Sequence, residues 1–69
     1  MKQLYRSMIN GQMYYCYATK PIYALKFLRS QSLRLYGKFN ITELYVRESE
    51  YKWSKLQLTT KLLMESSGQ

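Results

Sequence analysis

The chain has 69 residues, with eleven Lys and Arg against four Glu, no Asp and no His, for a formal charge of +7. A domain this short buries only about 60% of the surface that its unfolded chain exposes, so one small domain is the upper bound. A single cysteine, Cys16, excludes an internal disulfide, and without histidine neither a zinc finger nor His-based acid–base chemistry can be built.

The other chemistry-bearing groups point the same way. Glu43, Glu48, Glu50 and Glu65 are the only acidic side chains and show no paired spacing for a metal site or a glycosidase-type pair. Walker, GxGxxG, GxSxG, HExxH and RNA-recognition signatures are missing. The expectation is a binding protein and not an enzyme, with no cofactor, no metal and no small-molecule substrate. No apolar run approaches the roughly 18–20 residues that span a bilayer, and Met1 to Arg6 lead into no signal-peptide hydrophobic region. The reading is therefore a soluble protein without a membrane partner, and its odd thiol suits a reducing cytoplasm. Apolar residues form 46% of the chain and Tyr occurs eight times, which separates it from a disordered basic tail.

Taken in chain order, the first element is a hairpin. Asn10-Gly11 supplies the two positive-φ positions of a type I′ turn between Leu4 to Ile9 and Gln12 to Tyr17. A two-residue turn pairs Ile9 with Gln12, Ser7 with Tyr14 and Tyr5 with Cys16. Tyr5, Ile9, Tyr14, Cys16 and Ala18 then share one face, and Leu4, Arg6, Met8, Met13, Tyr15 and Tyr17 the other. Cysteine and alanine prefer burial, which assigns the Cys16 side to the core; a slip of one residue would reverse the faces.

Thr19 before Lys20-Pro21 reads as a hydroxyl cap with proline in the first turn, predicting a helix from about Lys20 to Gln31. Ala24, Leu25 and Leu28 form its apolar stripe, and Lys26 and Arg29 fall off it. Ser32 to Lys38 reads equally as more helix or as loop. Asn40 to Arg47 alternates with β-branched and aromatic residues, predicting a third strand with Thr42, Leu44 and Val46 on its core side. Tyr51 to Leu58 reads as a fourth strand in preference to a helix of poor amphipathicity, followed by a short helix from Thr59 to Glu65. Residues 1–65 thus make a single α+β domain: an N-terminal β-hairpin, one helix, a third antiparallel strand, and an uncertain C-terminal strand and short helix. Ser66 to Gln69 are expected to fray.

Three constellations are candidates for function. Tyr15 and Tyr17 lie on the outer hairpin face with Arg6, where rings can stack on unpaired bases while cations meet phosphates. The alternative is packing against the C-terminal segment or a second copy of the chain. Lys20, Lys26, Arg29, Arg34 and Lys38 make a basic set along the helix and the loop after it, suited to phosphates or otherwise an ordinary solvated face. Trp53 sits between Lys52 and Lys55, either as a contact residue or, more plainly, as part of the core. Cys16 reads as a small buried hydrophobe and not a reactive thiol.

The stretch from Met13 to Lys26, followed after a loop by Ile41 to Val46, resembles the strand, capped helix, strand layout of small bacteriophage accessory proteins, among them inhibitors of host RNA polymerase and anti-CRISPR proteins. The likeness covers roughly half of the chain and is one of size and layout, so it gives no residue a role. It implies binding to a host nucleic-acid-processing protein or to its nucleic acid, with inhibition by occlusion. The charge departs from the acidic DNA mimicry known among such proteins, so a basic member would occupy an acidic patch or grip the nucleic acid itself. Two expectations follow: modulation of a nucleic-acid-handling machine, or direct, weakly specific binding to DNA or RNA. A third is a small subunit of a larger assembly, and the oligomeric state stays open.

Overall fold

Asn10 and Gly11 do adopt positive φ, 53° and 83°, and the turn they make joins β1 (Gln3–Ile9) to β2 (Gln12–Ala18). The register is the expected one, with Ile9 opposite Gln12, Ser7 opposite Tyr14 and Tyr5 opposite Cys16. This computed structural model describes residues 1–38 and 41–67. After the hairpin come α1 (Pro21–Tyr36), β3 (Leu44–Ser49), β4 (Lys52–Leu56) and α2 (Thr60–Ser67). The four strands form one antiparallel sheet in the order β2-β1-β3-β4. The fold is α+β, with both helices on one side of that sheet.

The core lies between the sheet and α1. Tyr5, Ile9, Cys16, Ala18, Leu44 and Val46 on the sheet meet Ala24, Leu25 and Leu28 on the helix, and all are buried. Leu62 and Leu63 of α2 pack against the margin of this cluster. Tyr14, placed on the core face by its parity, is half-buried; its hydroxyl meets that of Tyr36 at 2.5 Å and the two rings lie edge to face. That contact ties β2 to the last turn of α1.

Several boundaries differ from expectation for identifiable reasons. α1 continues past Gln31 to Tyr36 because its stop signal is Gly37, which takes the left-handed conformation (φ 75°) and donates its N–H to the carbonyl of Leu33 at 2.9 Å. At the other end the cap is Lys20, not Thr19, and no side chain caps it; proline at the first helical position makes the carbonyl of Lys20 the first acceptor, taking the N–H of Ala24 at 3.2 Å. β3 begins at Leu44, after an isolated bridge between Ile41 and Ile9. Thr42, expected on the core side, is exposed, because it precedes the strand and escapes its alternation. Asn40, the expected start of that strand, lies outside the described residues.

β4 is a strand, as expected, and Thr59 acts as the cap of α2, its hydroxyl accepting the N–H of Leu62 at 3.1 Å. α2 includes Ser66 and Ser67; Gly68 and Gln69, the rest of the expected tail, lie outside the described residues. Two buried serines fix the path between α1 and β3. Ser32 donates to the carbonyl of Lys38 and Ser7 donates to the carbonyl of Glu43, so each end of the connection is held by a hydroxyl otherwise without reason to be buried.

Burial raises the phenol of Tyr5 above its ordinary 10.0, with a smaller contribution from Cys16, and raises the Cys16 thiol above 9.0. The folded form therefore holds these protons more tightly than the unfolded chain does. Their contribution to stability is fully present below the unfolded values and is lost as pH rises past them. Thermal melts should give a constant midpoint from neutral pH to the thiol's ordinary range and a falling one above it, and Cys16→Ala should delay the onset toward the phenol range. An unchanged onset in that variant would show that the thiol makes no contribution.

A candidate aromatic and basic interface

The sheet face turned away from the helices carries no element over it among the described residues. Strand parity decides what it displays. Residues that alternate with Tyr5, Cys16, Leu44 and Val46 must point outward, so this face presents Arg6, Met8, Met13, Tyr15, Tyr17, Tyr45, Arg47, Trp53 and Lys55.

Register then aligns these side chains across the strands. Tyr15 stands opposite Arg6, Arg6 opposite Tyr45, and Tyr45 opposite Lys55, one residue from each strand. The result is a transverse row that alternates ring, cation, ring, cation over about 14 Å, three inter-strand spacings. Trp53 leans across this row from β4. Its ring lies 4.2 Å from the Arg6 guanidinium carbon, and its centroid is 6.1 Å from that of Tyr15 in an edge-on arrangement. Arg6 also sits 5.4 Å from the Tyr45 ring centre.

Arg6 is thus half-buried between two aromatic rings, and its Nε is shielded from solvent without a hydrogen-bond partner. A guanidinium is weakly hydrated and accepts a ring face in place of water more readily than an ammonium does, which is why arginine can fill this position. Tyr15 keeps 52% of its surface exposed and Tyr17 67%, with Met8 and Met13 beside them on the hairpin. At the far margin, Glu43 accepts the Tyr45 hydroxyl at 3.2 Å and pairs with Lys55 at 3.6 Å. That ion pair is exposed, so it holds Lys55 only weakly.

The expected site residues divide between two surfaces. Arg6, Tyr15, Tyr17, Trp53 and Lys55 come together on the open sheet face. Trp53, for which the core was the plainer reading, lies outside it, because its parity on β4 is opposite to that of Leu56. Lys52 starts β4 with the opposite parity to Trp53 and pairs with Glu48 at 3.8 Å. Lys20, Lys26, Arg29 and Arg34 lie on or beside α1, across the core from the sheet face, with Lys38 just beyond its end. The cations therefore do not gather into one patch.

Tyr45 and Arg47 belong to the outer face and were not among the expected site residues. The alternation in Leu44-Tyr45-Val46-Arg47 places both opposite the core pair Leu44 and Val46, a signal available once those two are assigned inward. Among the described residues no three His, Cys, Asp or Glu side chains gather where they could hold a metal ion. Likewise among the described residues, no helix is long and apolar enough to cross a membrane. No family model, curated protein or solved structure matches this chain.

The two aromatic groups should respond differently to truncation. Tyr17→Ala, at an exposed position, should change stability by no more than about 0.5 kcal/mol. Trp53→Ala uncovers Arg6 and removes the Tyr15 contact, and should cost about 1–3 kcal/mol in urea unfolding. Equal losses in both variants would contradict the packing described for the face.

Proposed function

We propose that the protein binds single-stranded nucleic acid, with little sequence preference, on the open face of its sheet. The observation that carries this reading is the transverse row Tyr15, Arg6, Tyr45, Lys55, crowned by Trp53 and flanked by Tyr17 and Arg47. Unpaired bases offer π-faces that stack on tyrosine and tryptophan irrespective of base identity, and the interleaved cations meet the phosphates that follow each base. The face is a sheet surface and not a ridge, which suits splayed bases better than a duplex groove, where a helix or narrow ribbon is needed.

A positive charge of seven on so short a chain draws a polyanion at long range, and the cations on α1 add to that field without touching the bound strand. Coating a strand keeps other proteins from it, so occlusion of a nucleic-acid-handling machine follows from the same contact. That outcome agrees with the resemblance in layout to small phage accessory proteins. A reducing, cytoplasmic setting is supported by the free Cys16, buried in the core beside the backbone of Ala24.

Fluorescence anisotropy with a labelled oligonucleotide at rising salt tests the reading. Binding should weaken linearly in log–log coordinates, by about 0.7 for each phosphate neutralised, and Arg47→Ala should reduce that slope by about the same amount. Tyr15→Ala should cost about 1–3 kcal/mol of affinity for any base composition, the value of one stacked base. Absence of binding at low salt, with tight binding to an acidic host protein recovered from nuclease-treated lysate, would transfer the face to a protein target.

A further inference from the structure

We infer that the exposed edge of β2 pairs with β2 of a second copy, joining two sheets into one. The two edges of this sheet are built differently. β4, at one edge, is five residues long, carries Lys52 and Lys55, and meets β3 through a bulge between Arg47 and Ser49. Short length, lysines and bulges are the usual guards against edge-to-edge pairing. β2, at the other edge, is seven residues long, Gln-Met-Tyr-Tyr-Cys-Tyr-Ala, with neither charge nor proline. It has none of those guards.

The turn determines which backbone groups are free. A two-residue hairpin closes on a hydrogen-bonded pair, here Ile9 and Gln12, and such pairs alternate along the ladder. Ser7–Tyr14 and Tyr5–Cys16 then bond inward to β1, leaving Met13, Tyr15 and Tyr17 to direct their N–H and C=O groups out of the sheet. An antiparallel two-fold centred on Tyr15 sets Met13 against the second copy's Tyr17, and Tyr15 against its own counterpart. Every outward donor in that register meets an outward acceptor, and no charged side chain of the strand opposes another.

The surroundings supply apolar area for the same contact. Tyr23 and Phe27 of α1 are half-exposed and line, with Tyr17 and Ala18, one shallow cavity along the β2 edge. Aromatic side chains bury about 150–250 Å² each, so these exposed portions, with Tyr17, offer roughly 300 Å². The paired backbones and the flanks of Met13 and Tyr15 add to it, and a standard interface needs about 800 Å² per partner. The dimer is accordingly a reversible one. It also places two transverse rows end to end, Tyr15 against Tyr15, so that one stacking surface crosses eight strands. That last consequence rests on the nucleic-acid reading; the pairing itself does not.

Sedimentation equilibrium on the whole chain, without nucleic acid, from about 1 µM to 1 mM tests the pairing. The weight-average mass should climb from 8.3 kDa toward twice that value, and added salt should favour the dimer by screening the repulsion between two positive copies. The sign of that salt effect is opposite to that expected for nucleic-acid binding, so the two proposals fail separately. Tyr17→Lys should weaken association at least tenfold with an unchanged circular dichroism spectrum. Met13→Pro should do the same, since that N–H is not used within the hairpin. In the unaltered protein the amides of Met13, Tyr15 and Tyr17 should become protected from hydrogen exchange as concentration rises. A constant mass of 8.3 kDa, or a dimer untouched by both substitutions with those amides still exchanging fast, would overturn the inference.

Discussion

Antiparallel pairing across Asn10 and Gly11 sorts the side chains of β1 and β2 into two sets, and nearly everything else in the molecule is arranged around that division. One set, Tyr5, Ser7, Ile9, Cys16 and Ala18, is small or apolar enough to accept a helix. The other holds Arg6, Met8, Met13, Tyr15 and Tyr17 and is left facing outward. Because the period of a strand is two, no residue of the hairpin can change face without moving all of them. A core and an aromatic surface are therefore consequences of one register.

The outward set becomes a site only when β3 and β4 join the sheet. β3 lies against β1 and not against β2, which brings Tyr45 next to Arg6 and lets Trp53 reach Arg6 and Tyr15. Arg6 is then enclosed by rings, fixed in place by stacking and not by a carboxylate. A guanidinium held in this way is placed by ring faces, with its Nε buried and unpartnered. Two ion pairs, Lys52 with Glu48 and Lys55 with Glu43, stand at the margin of the sheet beside β4.

The asymmetry between the two sheet edges follows the same logic. The β4 margin is lysine-bearing, irregular and paired with glutamates, and it ends the sheet. The β2 margin continues the aromatic character of the open face onto the flank of α1 through Tyr17, Tyr23 and Phe27. Aromatic face and open edge meet at Tyr15, whose ring belongs to the first and whose backbone belongs to the second.

Local chemistry in the sequence determined the hairpin, its register and its buried side, since an Asn-Gly turn and strict alternation leave little choice. It also called for α1 and β3 and favoured β4 and α2 over a single C-terminal helix; it left Ser32 to Lys38 open between helix and loop, and it put the cap of α1 at Thr19, a hydroxyl ahead of a proline, where the structure has Lys20. Tertiary structure alone decided that β3 inserts beside β1, that Trp53 lies over Arg6 instead of in the core, and that the cations of α1 are separated from the rings by the thickness of the domain. Those outcomes depend on contacts between residues dozens of positions apart. Periodicity reports which way a side chain points from its own strand, but strand order settles which neighbour it finds there.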